Sequence, residues 1–132
     1  VSAGAERGAR ARLDELPLAS VRAHDGEGLI GFHRVFTTED LRSACDFADY
    51  AVLPPGTSIG VHRHGANEEI YLVLDGEGTM TLDGETFRVG KGDVVLNRSG
   101  GEHGLRNDGT APLRLFVVQV ALPAGRAEGR TP

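Results

Sequence analysis

Residues 54–78 read PPGTSIGVHRHGANEEIYLVLDGEG, and the reading of this stretch decides the fold. Two of the chain's five histidines, His62 and His64, stand one residue apart, and Glu69 follows at the mouth of an apolar run. Alternate side chains of a strand share a face, so His62 and His64 project together while Arg63 points away. Two imidazoles on one face can hold one metal ion. The plainer alternative is an exposed strand with no chemistry. Glu69 lies across a short Gly65-Ala66-Asn67 turn, where antiparallel pairing is expected to bring its carboxylate beside the imidazoles. A fourth ligand has to come from a distant strand, and His103 in GGEHGLRN is the candidate. Three imidazoles and one carboxylate suit a divalent transition metal, with positions left open for substrate or water.

The rest of the chain is consistent with a small soluble protein. Its 132 residues make one domain, and 39% hydrophobic with 25% charged content describes a globular chain. A formal charge of −5 leaves no basic footprint for nucleic acid or acidic lipid. Cys45 is the only cysteine, which excludes an internal disulfide and suits a reducing cytoplasm. No apolar run is long enough to span a membrane, and the first residues lack the pattern of a secretory signal. Residues 1–20 read as a flexible tail with at most a short helix near Leu13 and Leu16, residues 21–123 as one barrel domain, and residues 124–132 as a disordered end.

Almost everything between those ends reads as strand and turn. TMTLDGETFRV is the clearest hairpin: Asp83-Gly84 is a type I′ signal that pairs Leu82 with Glu85 and Met80 with Phe87. Further strands are expected at 31–36, 47–53, 58–64, 69–74, 93–96, 104–107 and 113–121, the spacing of an all-β sandwich or barrel. One short helix is expected at Thr38–Ala44, behind a capping pattern from Thr37 and Asp40.

The spacings around the histidines resemble the two motifs of the cupin superfamily. The first runs Gly56, His62, His64, Glu69, Gly76, and the second Gly92, Arg98, Gly100, His103, Asn107. Only Arg98 departs, standing where the family usually has proline. The resemblance implies a double-stranded β-helix, the jelly-roll cupin barrel, with one divalent metal (Zn, Fe, Mn or Ni) held by His62, His64, Glu69 and His103. Gly76 and Gly100 are then expected at positive φ. Asn107 is expected to hydrogen-bond the barrel wall and not to bind metal.

Other residues are weighed from their positions. Tyr71 and Val73 alternate with Glu69 and are expected to line the same interior, where Tyr71 either points its hydroxyl at a ligand or simply packs the wall. Arg98 is a tentative partner for an anionic substrate, against the alternative of a solvent-exposed turn residue. His24 is expected in solvent, His33 at a surface or subunit contact, and Cys45 as a buried small hydrophobe. The strand 113–121 is apolar on both faces, so its inward side is open. An apolar N-terminal strand, Leu29–Phe36, is expected to be an exposed edge that a homodimer covers.

Cupin barrels host many chemistries, so function is less constrained than fold. The leading expectation is a metal-dependent enzyme transforming a small polar metabolite, a cyclase-, isomerase- or oxygenase-like tailoring step in bacterial specialised metabolism. The alternatives are a non-catalytic module that binds metal or a small ligand, and a zinc cupin that joins amino-acid substrates. A sugar-phosphate isomerase ranks last, because Arg63, Arg98 and Arg106 show no convergence on a phosphate site.

Overall fold

The structure is a computed structural model, and it describes residues 7–123. The expected end segments 1–6 and 124–132 lie outside the described residues. Ten strands follow one 3-10 turn at Leu13–Glu15: β1 (Ala19–Val21), β2 (Ile30–Phe36), β3 (Cys45–Leu53), β4 (Ser58–Arg63), β5 (Asn67–Asp75), β6 (Glu77–Leu82), β7 (Glu85–Gly90), β8 (Val94–Asn97), β9 (Glu102–Arg106) and β10 (Leu113–Ala121). They form a six-stranded sheet, ordered β1-β2-β3-β10-β5-β8, and a four-stranded sheet, ordered β4-β9-β6-β7. Every pairing is antiparallel. This is the expected all-β jelly-roll barrel, and none of its described helices is long and apolar enough to cross a membrane.

The period of two places the core. On β5, Glu69, Tyr71 and Val73 are buried while Ile70 between them is exposed. β10 settles its own ambiguity: Leu113, Leu115 and Val117 are buried inside the barrel, and Phe116 and Val118 stay half-buried on the outer face. Leu53, Leu113 and Leu115 have no exposed surface, and Met80 and Leu105 close the core from the opposite sheet.

The β6–β7 hairpin has the expected register, Leu82 opposite Glu85 and Met80 opposite Phe87. Asp83 and Gly84 both take positive φ, 49° and 85°, as a type I′ turn requires. Met80 and Val89 are buried, whereas Phe87 on the same face is 39% exposed. Gly76 and Gly100 both have the expected positive φ, 86° and 77°. At Gly76 a Cβ would also stand 2.4 Å from the Pro112 carbonyl oxygen, so no other residue fits without movement.

Three expectations are corrected here. Thr38–Ala44 is not a helix. The capping contacts do form: Asp40 accepts from the Thr37 backbone N–H at 2.9 Å, and Thr37 Oγ1 accepts from the Glu39 N–H at 3.1 Å. One turn closes when Leu41 N–H donates to the Thr37 carbonyl, and β3 begins at Cys45, which leaves no length for a helix to propagate. The N-terminal tail ends earlier than expected, because Ala19–Val21 pairs with Ile30–Phe32 as β1. That pairing covers part of the β2 edge, so β2 is a bare edge only beyond Phe32. Cys45 is half-buried, its Sγ 3.5 Å from the Phe47 carbonyl oxygen.

Candidate metal centre

His62 is carried by β4, His64 follows its end, Glu69 is on β5 and His103 on β9. The HxH strand and the Glu strand do not pair, contrary to expectation: β4 belongs to the four-stranded sheet and β5 to the six-stranded one. The turn at 65–66 carries the chain from one sheet to the other, and Glu69 meets the histidines across the barrel interior. His103 arrives by pairing, directly opposite His62 in the β4–β9 ladder.

Four donor atoms converge, all within 4.8 Å of one another. His64 Nε2 lies 3.2 Å from His62 Nε2 and 3.1 Å from His103 Nε2. Glu69 Oε1 is 3.0 Å from both His64 Nε2 and His103 Nε2. The far side of two rings fixes their tautomers. His62 Nδ1 is 2.7 Å from the Gly60 carbonyl, and His64 Nδ1 is 2.7 Å from Asn67 Oδ1. Both partners accept, so each Nδ1 carries the proton and each Nε2 turns a bare lone pair toward the cluster. Lone pairs facing one another at such distances repel unless a cation lies between them. The donor set therefore fits a divalent metal, with outer partners that orient the ligands.

Partial burial favours the neutral form of the His62 ring. Desolvation is the main cause pulling the His62 imidazolium down from 6.5 to about 4, and its hydrogen bond to Gly60 opposes this only in part. His103 is 1% exposed, and its Nδ1 has no hydrogen-bond partner among the described residues. The Tyr71 ring packs against it, centroids 4.6 Å apart.

A cavity of about 360 Å³ adjoins the cluster, lined by Glu69, Tyr71, His24, Arg34, Asp49 and apolar neighbours. Tyr71 thus lines the interior as expected, and its burial raises the phenol pKa well above the usual 10, so it remains a proton donor. Arg98 does not line this space: its side chain is exposed, and its carbonyl accepts from the Gly101 N–H. Arg63 pairs with Glu102, and Arg106 with Glu27, so the arginines considered for a phosphate site disperse. His33 contacts the Pro17 carbonyl at 2.8 Å, away from the cluster. Asn107 is a wall residue as expected, donating to the carbonyls of Leu53 and Ala111 at 2.8 Å each. A larger groove of about 670 Å³ shares no residue with the cluster, and its Arg88 is paired with Glu77 and Asp108.

Sequence reading missed three cavity residues. His24, expected in solvent, is exposed at its edge but stacks on His62, ring centroids 3.5 Å apart. Its loop lies against β4 because Gly60 has no side chain: a Cβ there would stand 2.0 Å from the His24 carbonyl oxygen. A glycine inside a strand is the signal for such close approach. Arg34 and Asp49 are charged residues at inward positions of β2 and β3, legible only as breaks in otherwise apolar alternation.

The model of the family described as a cupin domain (Cupin_2) matches residues 49–119, more than half of the chain. An uncharacterized protein of Methanocaldococcus jannaschii is 42% identical over 66 residues, and the chain spans about half of it (53%) while 50% of this chain is covered. An oxalate-binding protein of Thermotoga maritima is 31% identical over 97 residues, 74% of this chain and 80% of that protein. Among solved structures, that of a predicted oxalate decarboxylase from Thermotoga maritima superposes with a TM-score of 0.83 at 28% identity, covering 86% of this chain and all (100%) of that one. Fold, motif and family model agree, and the chain belongs to the cupin family.

Proposed function

We propose that the chain is a metal-dependent cupin enzyme that transforms a small polar metabolite in the cavity beside His62, His64, Glu69 and His103. One observation carries the reading: three imidazoles and a carboxylate converge on one point with their lone pairs inward, at the wall of a cavity of small-molecule size. An idle barrel gains nothing from burying such a group, because unpaired polar atoms cost free energy in an apolar interior. Bound there, a divalent ion would supply Lewis-acid polarisation of substrate oxygens, or redox chemistry if it is iron. The chain's own residues orient the reactants. Gly60 and Asn67 hold two ligand rings, and Tyr71 lines the cavity with its phenol protonated. A cytoplasmic setting, suggested by the single cysteine, accompanies the proposal.

A second reading, a module that binds without turnover, draws support from the oxalate-binding protein among the relatives. Elemental analysis of protein purified without added metal tests the metal, with one divalent ion per chain expected. Protein that takes up none of Zn, Fe, Mn or Ni on incubation overturns the metal-dependent enzyme and leaves only a module that binds a small ligand. Incubating the loaded protein with small organic acids and following them by NMR separates the two: consumption supports the enzyme, and bound but unchanged acid supports the module.

A further inference from the structure

The wall of the cavity carries a charged pair that the proposed function leaves unused. Arg34 on β2 and Asp49 on β3 are cross-strand partners. Arg34 Nε and Nη2 donate to the two Asp49 carboxylate oxygens at 2.9 and 3.0 Å. A guanidinium offers five N–H groups in a plane, and this contact uses one of its two forked edges. The other edge, Nη1 with the second proton of Nη2, meets no acceptor among the described residues. The guanidinium plane is held in place, its carbon 4.0 Å from the Phe47 ring centroid and 5.5 Å from that of Phe32. Its side chain is 45% exposed while that of Asp49 is only 6% exposed, and both line the cavity with Glu69 and Tyr71.

Stability does not account for this pair. A half-exposed ion pair contributes little, and a buried carboxylate is costly beside an apolar pair of similar volume. Arg34 and Asp49 continue a cross-strand row into Val117 and Tyr71, which packs without charge. The arrangement instead matches a bidentate anion receptor: fixed, half-solvated, and neutralised on one edge only.

We propose that Arg34, oriented by Asp49, binds an anionic end group, a carboxylate, of a substrate whose other oxygen-bearing end lies at the His62, His64, Glu69 and His103 cluster. This rests on the metal-dependent reading and narrows its substrate class to small acids with two polar ends. The charges agree. A divalent ion with one carboxylate ligand leaves net positive charge, and the Arg34–Asp49 pair adds none against an incoming anion. The cavity of about 360 Å³ is at the small end of ligand pockets, which favours a short acid over a long chain.

The test is calorimetric titration of zinc-loaded wild type, Arg34→Lys, and the double variant Arg34→Met/Asp49→Leu, which leaves no buried charge unpaired. Acetate, malonate, succinate and phosphonoacetate are the probes, and the zinc content of each protein is measured separately. Malonate or succinate affinity is expected to fall at least about 10-fold in both variants, while zinc content and acetate affinity stay at the wild-type level. Unchanged dicarboxylate affinity in both variants, or a wild type that binds none of the four acids, overturns the proposal. Tighter binding of phosphonoacetate than of malonate overturns the assignment to a carboxylate end group. A wild type that takes up no zinc or other divalent metal sinks the metal-dependent reading alone; Arg34 is then judged by the same titrations on metal-free protein.

Discussion

The His24 ring lies flat on the His62 ring, centroids 3.5 Å apart and planes 7° from parallel. His62 is therefore gripped on two sides, by this stack and by the bond from its Nδ1 to the Gly60 carbonyl. His24 and Asp25 reach the position through positive φ values of 49° and 58°, a conformation that non-glycine residues seldom adopt. His24→Ala removes the stack and leaves every ligand atom in place. Metal affinity, measured by competition with a chelator, is expected to fall roughly 2- to 10-fold, the range of an aromatic pair. His24→Phe is expected to restore it. Equal affinity in wild type and the Ala variant would show that the stack does not orient the ligand.

The half-buried His62 imidazole is expected to make the metal-free protein acid-sensitive. The folded pKa of His62, about 4, lies below its ordinary value of 6.5. Between those values the unfolded chain binds more protons than the folded one, so stability rises with pH across the window. It is fully present above about 6.5 and is lost as pH falls toward about 4. His24 shifts in the same direction, mainly by burial, and adds to the effect. Melting temperatures of metal-free protein between these limits check this, and His62→Gln is expected to flatten the slope. A slope that His62→Gln leaves untouched assigns the acid sensitivity to other groups.

Ligands and their supports differ in what they contribute. His103→Ala removes a buried donor and is expected to abolish stoichiometric metal binding with the barrel still folded. Asn67→Ala removes only the acceptor that holds the His64 Nδ1 proton at 2.7 Å. Its metal affinity is expected to drop about 10- to 100-fold, the range for outer partners of a metal ligand. Arg98→Ala serves as the control, since its exposed side chain leaves metal content and acid binding unchanged. Full metal occupancy in His62→Ala/His64→Ala rules the site out.

Local patterns carried most of the fold. The Asp83-Gly84 turn fixes its hairpin register within a few residues, and the alternation of Glu69, Tyr71 and Val73 marks an inner face without any partner strand. The failures share a cause, which is that barrel closure is not local. A short turn between His64 and Glu69 reads as a hairpin, yet the chain there changes sheets. The capping contacts of Thr37 and Asp40 are real, but the next strand starts too soon for a helix. Arg34 and Asp49 gain meaning only from the β2–β3 register, and His24 only from the approach of its loop to Gly60.

The remaining expectation, a homodimer, changes its surface once the register is known. β2 is partly covered by β1, so the Leu29–Phe36 edge is a poorer candidate than its sequence implies. The outer face of the six-stranded sheet is a better one. Val118, Ile70 and Leu96 stand side by side across β10, β5 and β8, and Phe116, Leu72 and Val94 form the next row. Ile70 is 38% exposed, Leu96 37% and Val94 64%, so the two rows make a continuous apolar patch that ends at the free β8 edge. Contiguous apolar surface of this kind marks an association site, and an uncovered apolar edge invites pairing. A second copy of the chain is the expected cover, giving a scattering mass twice that of the 14.0 kDa chain at micromolar concentration. Ile70→Glu/Leu96→Glu places charge at the centre of the patch and is expected to give monomers with metal content unchanged, because both side chains face away from the cluster. A wild-type mass of one chain removes the dimer, whereas a dimer that survives the double substitution moves the interface to another face.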